Sequence, residues 1–457
     1  GIRKCVSNRG VDGTNEGVER ERMSEILLPG DKSITQRALI LAALAKGESR
    51  LTGLLPGKDP QSTAWVLRAL GADVPPPPED GSALRVRGVG LTGLESPERD
   101  LDFGNSGTGA RLMMGVLAGQ PLTATLTGDA SLCSRPMRRV TEPLSKMGAT
   151  IRELGEFDRL PVEITGARLK PLQHESPVGS AQVKSALLFA GLTGGAPTVV
   201  SEPRASRDHT ERMLSMVGAT VNSHEVDGWW QVELRDPPER IAPLDFAVPS
   251  DFSSAAFFLV LGLLGGAGPE LTVRKVGLNP TRTGMLGALA RMGASPRDLT
   301  ASYDVLPDAA AEPVGDLTVR PTLLKGIELG EKDTPTILDE IPILAVAASR
   351  AEGLTRVTGA RELRLKESDR ITALVENFRS LGLNVEELDD GLEIEGTDGP
   401  VRGEVDAYHD HRIAMAFAIL GALPGNDITI RNPDIVDVSF PGFWKALDGV
   451  VSRAGLA

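Results

Sequence analysis

A turn that carries two cations and a hydroxyl leads directly into an apolar helix near the start of the chain. Its side chains are Lys32, Ser33 and Arg37, and the apolar run covers residues 38–45. Backbone N–H groups at the start of a helix, joined by a hydroxyl and two cations, form a site for an anion and most naturally for a phosphate. A capped, buried helix whose cations are solvated is the alternative that one such turn leaves open.

Two further apolar helices in the first half begin in a similar way. A glycine-rich turn at 104–111 lets the backbone approach a ligand closely, although a tight loop has the same composition. The turn at 179–184 again combines a hydroxyl, an amide and a cation. Arg135 lies between these turns, and Pro136 holds it in an extended conformation. This repetition favours several anion-binding turns in one protein.

Carboxylates and histidines gather before helices in the second half. Asp339 and Glu340 precede an apolar run at 341–348, where helix capping is the simplest role for Glu340. The segment 366–370 alternates in charge, which is also typical of a solvated face with salt bridges. The segment 409–412 places two histidines beside an acid and an arginine. Together these groups could supply the acids and bases of a proton transfer.

The overall charge favours small anions over nucleic acids as ligands. The 457-residue chain carries a formal net charge of −13, whereas general nucleic-acid binding requires a basic surface. Basic clusters in such an acidic protein are local, and they suit small anionic ligands. A nucleotide-binding P-loop is disfavoured because Asp31 separates Gly30 from Lys32.

Several other classes of protein are disfavoured by the absence of their motifs. The sequence has no H-E-x-x-H motif and no cysteine cluster beside its histidine pair, so we expect no metal. It also lacks the G-x-S-x-G elbow of serine hydrolases. Cys5 and Cys133 are too few for a disulfide framework, which suits a reducing compartment. The longest apolar stretch, 255–267, is too short to span a membrane.

The elements that must position these groups recur about every 75 residues. Each repeat has a polar turn, an apolar helix, a short β-rich run and a second, amphipathic helix that ends near a glycine. Six such repeats split into two domains of three, and the first helix of each repeat is expected to be buried on all sides. We predict one domain at 32–247 and the other at 24–31 and 248–457. Residues 1–23 are expected to be a disordered extension or leader.

Seven motifs in order resemble those of the 5-enolpyruvylshikimate-3-phosphate (EPSP) synthase family, the 3-phosphoshikimate 1-carboxyvinyltransferases. They extend over essentially the whole chain from Ser24 onward. The motifs are the segments 28–37, 104–111, 135–136, 180–182, 339–340, 366–370 and 410–412. The resemblance implies an α/β (α+β) fold, a two-domain inside-out α/β barrel. Each domain would contain three βαβαββ units around buried parallel helices.

The same resemblance implies which residues bind the two substrates. Contacts with shikimate 3-phosphate would come from Lys32, Ser33, Arg37, Ser180, Ala181, Gln182, Arg207, Asp339 and Lys366. Contacts with phosphoenolpyruvate would come from Lys32, Gly107, Arg135, Gln182, Arg370, His411 and Arg412. The 32–247 domain would be the shikimate 3-phosphate side, and the other domain would hold the acid–base groups and phosphoenolpyruvate.

In the implied reaction, the 5-hydroxyl of shikimate 3-phosphate adds to C2 of phosphoenolpyruvate, and phosphate is then eliminated. Asp339 would be the base for this hydroxyl, and Glu367 with Lys32 would manage the proton at the methylene carbon. The reaction is the sixth step of the shikimate pathway to chorismate. The resemblance implies no metal or organic cofactor, no nucleic-acid or membrane partner, and a cytoplasmic monomer.

Two further points of the resemblance concern phosphoenolpyruvate and glyphosate. Gly107 is the position whose enlargement excludes the inhibitor glyphosate in some members of the family. Ser131, Cys133, Leu363 and Val438 stand where many members carry a basic residue or an asparagine. This pattern is similar to the divergent bacterial members, which use other cations.

Two alternatives remain at this point. The sister family of UDP-N-acetylglucosamine 1-carboxyvinyltransferases has a cysteine five residues before the loop arginine, but Ala130 occupies that place before Arg135. A non-catalytic repeat scaffold would leave the grouping of cations and acids by domain unexplained. Phosphate release measured with each acceptor distinguishes all three possibilities.

Overall fold

The computed structural model describes residues 2–6, 24–307 and 310–455, and the chain divides into two compact units. The middle unit comprises Pro29–Pro249 and Asp308–Glu312. The terminal unit comprises Gly1–Leu28, Ser250–Pro307 and Pro313–Ala457. The borders expected from the sequence, 31/32 and 247/248, lie three and two residues from these.

The strands and helices follow one another in a regular alternation. The chain starts with two strands of the terminal unit, β1 (Ile2–Val6) and β2 (Ser24–Leu27). The middle unit then contains α1 (Lys32–Leu44), β3 (Lys46–Thr52), α2 (Lys58–Ala69), β4 (Leu84–Val89), β5 (Leu101–Asp102), α3 (Gly107–Ala118), β6 (Thr123–Thr127), α4 (Ala130–Cys133), α5 (Arg138–Met147), β7 (Thr150–Glu153), β8 (Val162–Thr165), β9 (Leu172–Glu175), α6 (Ala181–Gly194), β10 (Thr198–Glu202), α7 (His209–Met216), β11 (Asn222–Val226), β12 (Trp229–Leu234) and β13 (Asp245–Ala247).

The remaining elements belong to the terminal unit. They are α8 (Phe252–Leu263), β14 (Leu271–Gly277), α9 (Gly284–Arg291), β15 (Leu299–Val305), β16 (Val314–Val319), β17 (Glu328–Leu329), α10 (Ile341–Ser349), β18 (Leu354–Val357), α11 (Arg370–Ser380), β19 (Val385–Leu388), β20 (Gly391–Glu395), β21 (Arg402–Asp406), α12 (His411–Ala422), β22 (Asp427–Arg431) and α13 (Phe443–Arg453). Short 3₁₀ helices cover Thr334–Thr336, Leu338–Glu340, Arg361–Leu365 and Pro433–Val438.

Among the described residues, each unit contains three small sheets. The strand orders are β13-β3-β4, β5-β6-β8-β7 and β11-β12-β10-β9 in the middle unit, and β15-β16-β14-β2, β17-β18-β20-β19 and β1-β22-β21 in the terminal unit. Every sheet includes one parallel pair, which requires a crossover connection. In four sheets this crossover contains one buried α-helix, α3, α6, α10 or α12. β2, which precedes α1 in the chain, pairs instead with β14 of the terminal unit.

The six helices that follow the polar turns form the cores of the two units. α1, α3 and α6 in the middle unit, and α8, α10 and α12 in the terminal unit, are buried along most of their length. A helix that is apolar on nearly every side has no face to present to water and is therefore surrounded by other elements. The predicted α/β class is confirmed. Among the described residues, no helix is both long and apolar enough to cross a bilayer.

Close packing of α3 on α6 depends on Gly115. A Cβ atom on this glycine would lie 1.9 Å from the carbonyl oxygen of Ala186 in α6. Only glycine lets the two backbones approach this closely, and the approach sets the spacing between the two polar turns that open these helices.

The N-terminal segment differs in part from the expectation of a disordered extension. Ile2–Val6 form β1, which pairs antiparallel with Asp427–Arg431. Arg3 contacts helix α13, since its guanidinium carbon lies 4.5 Å from the Trp444 ring centroid and its Nη2 lies 2.7 Å from Oδ2 of Asp448. These contacts are long-range in sequence, and local composition does not reveal them. The rest of the expected extension, residues 7–23, lies outside the described residues.

Candidate functional site

Lys32 opens helix α1 and carries a cation at the N-terminus of the helix. Asp31 caps the helix, since its carboxylate accepts a hydrogen bond of 2.8 Å from the N–H of Ile34. The Lys32 side chain is 32% exposed, and its Nζ lies 3.1 Å from Oδ2 of Asp59. The ammonium group is therefore held by a carboxylate and still open to solvent, which suits contact with an anionic ligand.

Arg37 lies one turn further along α1 and is almost completely buried. Its Nε donates to Oγ1 of Thr210 at 2.7 Å, and its Nη2 donates to Oγ of Ser185 at 2.9 Å. Its Nη1 donates to the carbonyl of Ser33 at 3.0 Å. Burial lowers the pKa of Arg37 to about 10, although nearby carboxylates oppose this change. In the described part of the chain, this guanidinium is a fixed positive charge hydrogen-bonded to neutral groups.

Side-chain hydrogen bonds join the glycine-rich turn before α3 to the turn before α6. Nη1 of Arg111 donates to Oε1 of Gln182 at 2.8 Å, and Nε2 of Gln182 donates to Oγ1 of Thr108 at 2.9 Å. Nη2 of Arg111 also donates to the carbonyl of Pro136 at 2.9 Å. These bonds fix the amide of Gln182 between the N-termini of two buried helices.

Two guanidinium groups flank Gly107, the first residue of α3. A Cβ atom on Gly107 would lie 3.1 Å from Nη1 of Arg111 and 3.1 Å from Nη1 of Arg135. Within the described residues neither arginine forms a salt bridge, and Nη2 of Arg135 donates to Oδ1 of Asn105 at 2.5 Å. Burial and the charge of Arg135 lower the pKa of Arg111 to about 10. Two cations without a counter-ion beside a glycine form a site for an anion.

Lys184 does not serve the anion-binding end of α6, as the turn at 179–184 had suggested. Its side chain is fully buried, and its Nζ lies 3.0 Å from Oε1 of Glu202 and 2.7 Å from Oε1 of Glu211. The positive charge is therefore balanced inside the core of the middle unit. The start of α6 keeps its hydroxyl and amide, because Ser180 caps the helix and Gln182 is half-buried.

In the terminal unit, Arg370 is fixed by carboxylates, and one nitrogen of its guanidinium makes no hydrogen bond within the described residues. Its Nε donates to Oδ2 of Asp410 at 2.7 Å, and its Nη2 donates to Oε2 of Glu367 at 2.7 Å. Its Nη1 is buried without a hydrogen-bond partner among the described residues and lies 3.7 Å from Oδ1 of Asp339. A buried donor without a partner is costly, so this edge of Arg370 is suited to an anionic ligand.

Arg412 lies on the other side of the Asp339 carboxylate. Its Nη1 donates to the backbone carbonyl of Asp339 at 2.7 Å, and its Nη2 lies 3.9 Å from Oδ2 of the same residue. Asp410 holds this helix start, since its Oδ1 accepts a hydrogen bond of 2.8 Å from the N–H of Arg412. The Asp339 carboxylate therefore lies between two guanidinium groups.

The surroundings of Glu367 favour its charged form, whereas those of His411 favour its neutral form. Burial alone would raise the pKa of Glu367, but Arg370 and His411 lower it to about 2. Burial and the charge of Arg412 lower the pKa of His411 to about 4. At neutral pH, Glu367 is a carboxylate and His411 is a neutral imidazole.

Glu340 occupies the N-cap position of α10, as the sequence suggested, but its side chain does not cap the helix. It makes no capping hydrogen bond to α10, and its buried Oε1 pairs with Oγ of Ser253. Nη2 of Arg282 donates to the same hydroxyl at 2.8 Å, and Nη1 of Arg412 lies 3.8 Å from Oε1 of Glu340. Burial raises the pKa of Glu340. This acid therefore supports Arg412 from inside the unit.

A family profile places the chain among known proteins. The profile of EPSP synthase (3-phosphoshikimate 1-carboxyvinyltransferase) matches residues 20–447. The chain belongs to the EPSP synthase family. It is 49% identical over 429 residues to the 3-phosphoshikimate 1-carboxyvinyltransferase of Gloeobacter violaceus, covering 94% of this chain and 96% of that protein. It is 45% identical over 429 residues to the Geobacter metallireducens protein of the same name, covering 94% and 97%.

Solved structures agree with this membership of the EPSP synthase family. The EPSP synthase from Acinetobacter baumannii superposes with a TM-score of 0.83 at 38% identity, covering 94% of this chain and 95% of that chain. The enolpyruvyl transferase NikO from Streptomyces tendae shares the fold, with a TM-score of 0.68 at 18% identity, covering 94% and 95%. As an EPSP synthase, the chain transfers the enolpyruvyl group of phosphoenolpyruvate to shikimate 3-phosphate in the shikimate pathway.

The residues predicted for EPSP synthase chemistry are distributed over both units. The middle unit holds Lys32, Ser33, Arg37, Gly107, Arg135, Ser180, Ala181, Gln182 and Arg207, and the terminal unit holds Asp339, Lys366, Glu367, Arg370, His411 and Arg412. Nζ of Lys366 donates to Oε1 of Glu362 at 2.8 Å. The described residues contain no group of three or more His, Cys, Asp or Glu side chains that could hold a metal.

Sequence reasoning missed the residues that hold the predicted ones in place. Arg111 orients Gln182, Asp410 anchors Arg370, and Arg282 with Ser253 supports Glu340. The signal for Arg111 was its place within the glycine-rich motif. Arg282 and Ser253 gave no such signal, because their partners are distant in sequence.

Proposed function

We propose that the residues predicted from the sequence bind the two EPSP synthase substrates, and that Lys32 and Gln182 contact both. Shikimate 3-phosphate is bound by Lys32, Ser33, Arg37, Ser180, Ala181, Gln182, Arg207, Asp339 and Lys366. Phosphoenolpyruvate is bound by Lys32, Gly107, Arg135, Gln182, Arg370, His411 and Arg412. This proposal is supported by the cationic side chains and helix N-termini among these residues, because such groups are suited to ligands that carry carboxylate and phosphate groups.

One observation carries the assignment of phosphoenolpyruvate. The buried Nη1 of Arg370 has no hydrogen-bond partner among the described residues, while the rest of the guanidinium is fixed by Asp410 and Glu367. A preorganised donor of this kind binds an anion without further ordering. Arg412 supplies a second guanidinium in the same cluster, and we propose that both orient the anionic groups of phosphoenolpyruvate.

The proposed reaction starts with addition of the acceptor hydroxyl. The oxygen of the 5-hydroxyl of shikimate 3-phosphate forms a bond with C2 of phosphoenolpyruvate, and Asp339 accepts the proton that this hydroxyl loses. A proton is delivered to C3, which becomes a methyl group, and C2 becomes tetrahedral. Elimination then removes one proton from C3, restores the C2–C3 double bond and breaks the bond between C2 and the phosphate oxygen.

Glu367, with Lys32, is the proposed proton carrier at C3. In the free protein the pKa of Glu367 is about 2, because Arg370 and His411 outweigh the effect of burial, so Glu367 is a carboxylate at neutral pH. Anionic phosphoenolpyruvate beside Arg370 and Arg412 would offset their charge and raise the pKa of Glu367 toward the range of a proton donor. Substrate binding therefore prepares this acid for the addition step.

Further proposals concern the context of the enzyme. We propose a monomer in the cytoplasm that needs no metal or organic cofactor and binds neither nucleic acid nor membrane. Glyphosate is a proposed inhibitor, because Gly107 leaves room beside Arg111 and Arg135. Gel filtration with light scattering tests the monomer, and inhibition of phosphate release tests glyphosate.

The test of the function is phosphate release from phosphoenolpyruvate with different acceptors. We expect release with shikimate 3-phosphate and none with UDP-N-acetylglucosamine. The reverse selectivity would refute the proposal in favour of the sister family. No release with either acceptor would support a non-catalytic scaffold.

A further inference from the structure

A buried cluster of three charged side chains lies beneath the start of α6 and takes no part in the proposed chemistry. Nζ of Lys184 lies between Glu202 and Glu211, at 3.0 Å and 2.7 Å from one oxygen of each. The side chains of Lys184 and Glu202 are completely buried. Burial alone would lower the pKa of Lys184, but Glu211 and Glu202 raise it above its usual value. Charges in such a position require a specific arrangement to be tolerated.

Glu202 differs from Glu211 because it also holds two polar turns. Its Oε2 accepts a hydrogen bond of 2.8 Å from the N–H of Ser180, the capping residue of α6. Its Oε1 accepts a hydrogen bond of 2.7 Å from Oγ of Ser206 and one of 3.3 Å from the N–H of the same residue. One carboxylate therefore joins the turn before α6 to the turn that precedes Arg207.

Lys184 adds a further bond to the second turn. Its Nζ donates to the backbone carbonyl of Ser206 at 3.2 Å, in addition to its contacts with the two acids. Ser206 is therefore bonded through its N–H, its hydroxyl and its carbonyl to the pair formed by Lys184 and Glu202. The backbone next to Arg207 has little freedom to move as long as this pair is intact.

We infer that Glu202, with Lys184, is a positioning pair for shikimate 3-phosphate. The pair sets the distance between the Ser180–Gln182 turn and Arg207. This inference rests on the proposed function, in which these residues bind that substrate. Neither Glu202 nor Lys184 contacts substrate in this account. A displaced turn weakens binding because hydrogen bonds to charged groups depend strongly on distance and angle.

The chain offers a matched pair of variants for the test. Glu202→Gln removes one acceptor oxygen, so the amide faces one of the two turns with a donor where an acceptor is needed. Glu211→Gln removes the other carboxylate from the same ammonium group, and within the described residues the Glu211 side chain makes no hydrogen bond to either turn. Both variants weaken the buried ion pair, and only Glu202→Gln releases a turn.

Calorimetry measures the Kd for shikimate 3-phosphate, and steady-state kinetics measures KM for phosphoenolpyruvate at saturating shikimate 3-phosphate. We expect Glu202→Gln to raise the Kd on the order of tenfold or more, which corresponds to the loss of about one charge-assisted hydrogen bond. KM for phosphoenolpyruvate should rise much less, because Gln182, which is proposed to contact both substrates, is also held by Arg111 and Thr108. Glu211→Gln should change both constants less than about twofold. Equal effects of the two variants on the Kd, or an equal rise in both constants for Glu202→Gln, would overturn the inference.

Amide hydrogen exchange separates this inference from the proposed function. Faster exchange of the backbone N–H groups of Ser180 and Ser206 is expected in Glu202→Gln. Unchanged exchange at these two residues would overturn the inference that Glu202 holds the two turns. If the unmodified protein fails to bind shikimate 3-phosphate, the proposed function fails, and the exchange rates still decide whether Glu202 holds the turns. Should Glu202→Gln not fold, the double variant Lys184→Met with Glu202→Gln removes the charge pair together, and the same selective loss is expected.

Discussion

Replacement of Gly107 by alanine tests the two-guanidinium site beside α3. The new methyl group would lie 3.1 Å from Nη1 of Arg111 and of Arg135, and 3.6 Å from Cδ1 of Leu132. An oxygen that accepts hydrogen bonds from both guanidinium groups would lie about 2.9 Å from each nitrogen. The methyl group and such a ligand oxygen would therefore lie at nearly the same distance from both cations, and the methyl group would exclude the oxygen.

The fold should tolerate Gly107→Ala. The atoms nearest to the new methyl are the ends of two flexible side chains, which can move by a few tenths of an ångström. Alanine is also favoured over glycine in helices, by up to about 1 kcal/mol at interior positions. We therefore expect an unchanged or slightly higher thermal unfolding midpoint.

Binding of phosphoenolpyruvate should weaken in the same variant. Loss of one charge-assisted hydrogen bond of about 1.5–3 kcal/mol corresponds to a rise in KM of about 10- to 150-fold. KM for shikimate 3-phosphate should change less than about twofold, in the same assay of phosphate release. An unchanged KM for phosphoenolpyruvate would refute the placement of its anionic group beside Gly107.

Gly109→Ala, two residues further along α3, is the contrasting variant. A Cβ atom on Gly109 would lie 2.8 Å from Oγ of Ser106 and 2.9 Å from Oγ1 of Thr63, both inside the packed core. We expect this variant to lower the unfolding midpoint instead. The two variants therefore separate loss of stability from loss of ligand binding within one turn of helix.

Three further predictions concern the terminal unit. Asp339→Asn should reduce turnover by about 10²–10⁴-fold while circular dichroism shows an intact fold. The control variant Asp448→Asn, which changes an exposed acid, should leave turnover unchanged. Substantial turnover in Asp339→Asn would show that Asp339 is not the base. The pKa of His411 is lowered to about 4 in the folded protein, whereas an unfolded histidine has a pKa of about 6.5. As the pH falls from 6.5 to about 4, this histidine is therefore protonated in the unfolded chain but not in the folded one. The free energy of unfolding should decrease by about 3 kcal/mol across this range of pH. Urea unfolding of the protein and of His411→Gln measures this, and an identical pH dependence in both would contradict it. Asp410→Asn should lower the unfolding midpoint and raise KM for phosphoenolpyruvate, because it weakens the anchor of Arg370 and the cap of α12; an effect on neither quantity would show that the anchor is dispensable.

The central helices and their polar turns were predictable from the sequence. Helix α8, for example, is apolar on nearly every side, and only complete burial satisfies such a surface. The cations at Lys32 and Arg370 could be recognised because they stand next to helix starts in short motifs. Local sequence is sufficient when the residues that define a feature lie within one or two turns of each other.

Partners that are distant in sequence could not be predicted. Lys184 stands at a helix start and looks like a ligand-binding cation, but Glu202 and Glu211 neutralise it after the chain folds. Glu340 looks like a cap, but Ser253, far earlier in the chain, pairs with it in the core. In both cases the outcome depends on which acid or hydroxyl the tertiary fold brings near, and a single sequence carries no direct record of that.

The fate of the bridging oxygen of phosphoenolpyruvate tests the enolpyruvyl transfer most directly. Phosphoenolpyruvate labelled with ¹⁸O between C2 and phosphorus is incubated with the enzyme and shikimate 3-phosphate, and both products are analysed by mass spectrometry. Addition and elimination at C2 break the carbon–oxygen bond, so the label should appear in the released phosphate and the enolpyruvyl ether should be unlabelled. Label retained in the organic product would show cleavage of the phosphorus–oxygen bond and contradict the mechanism.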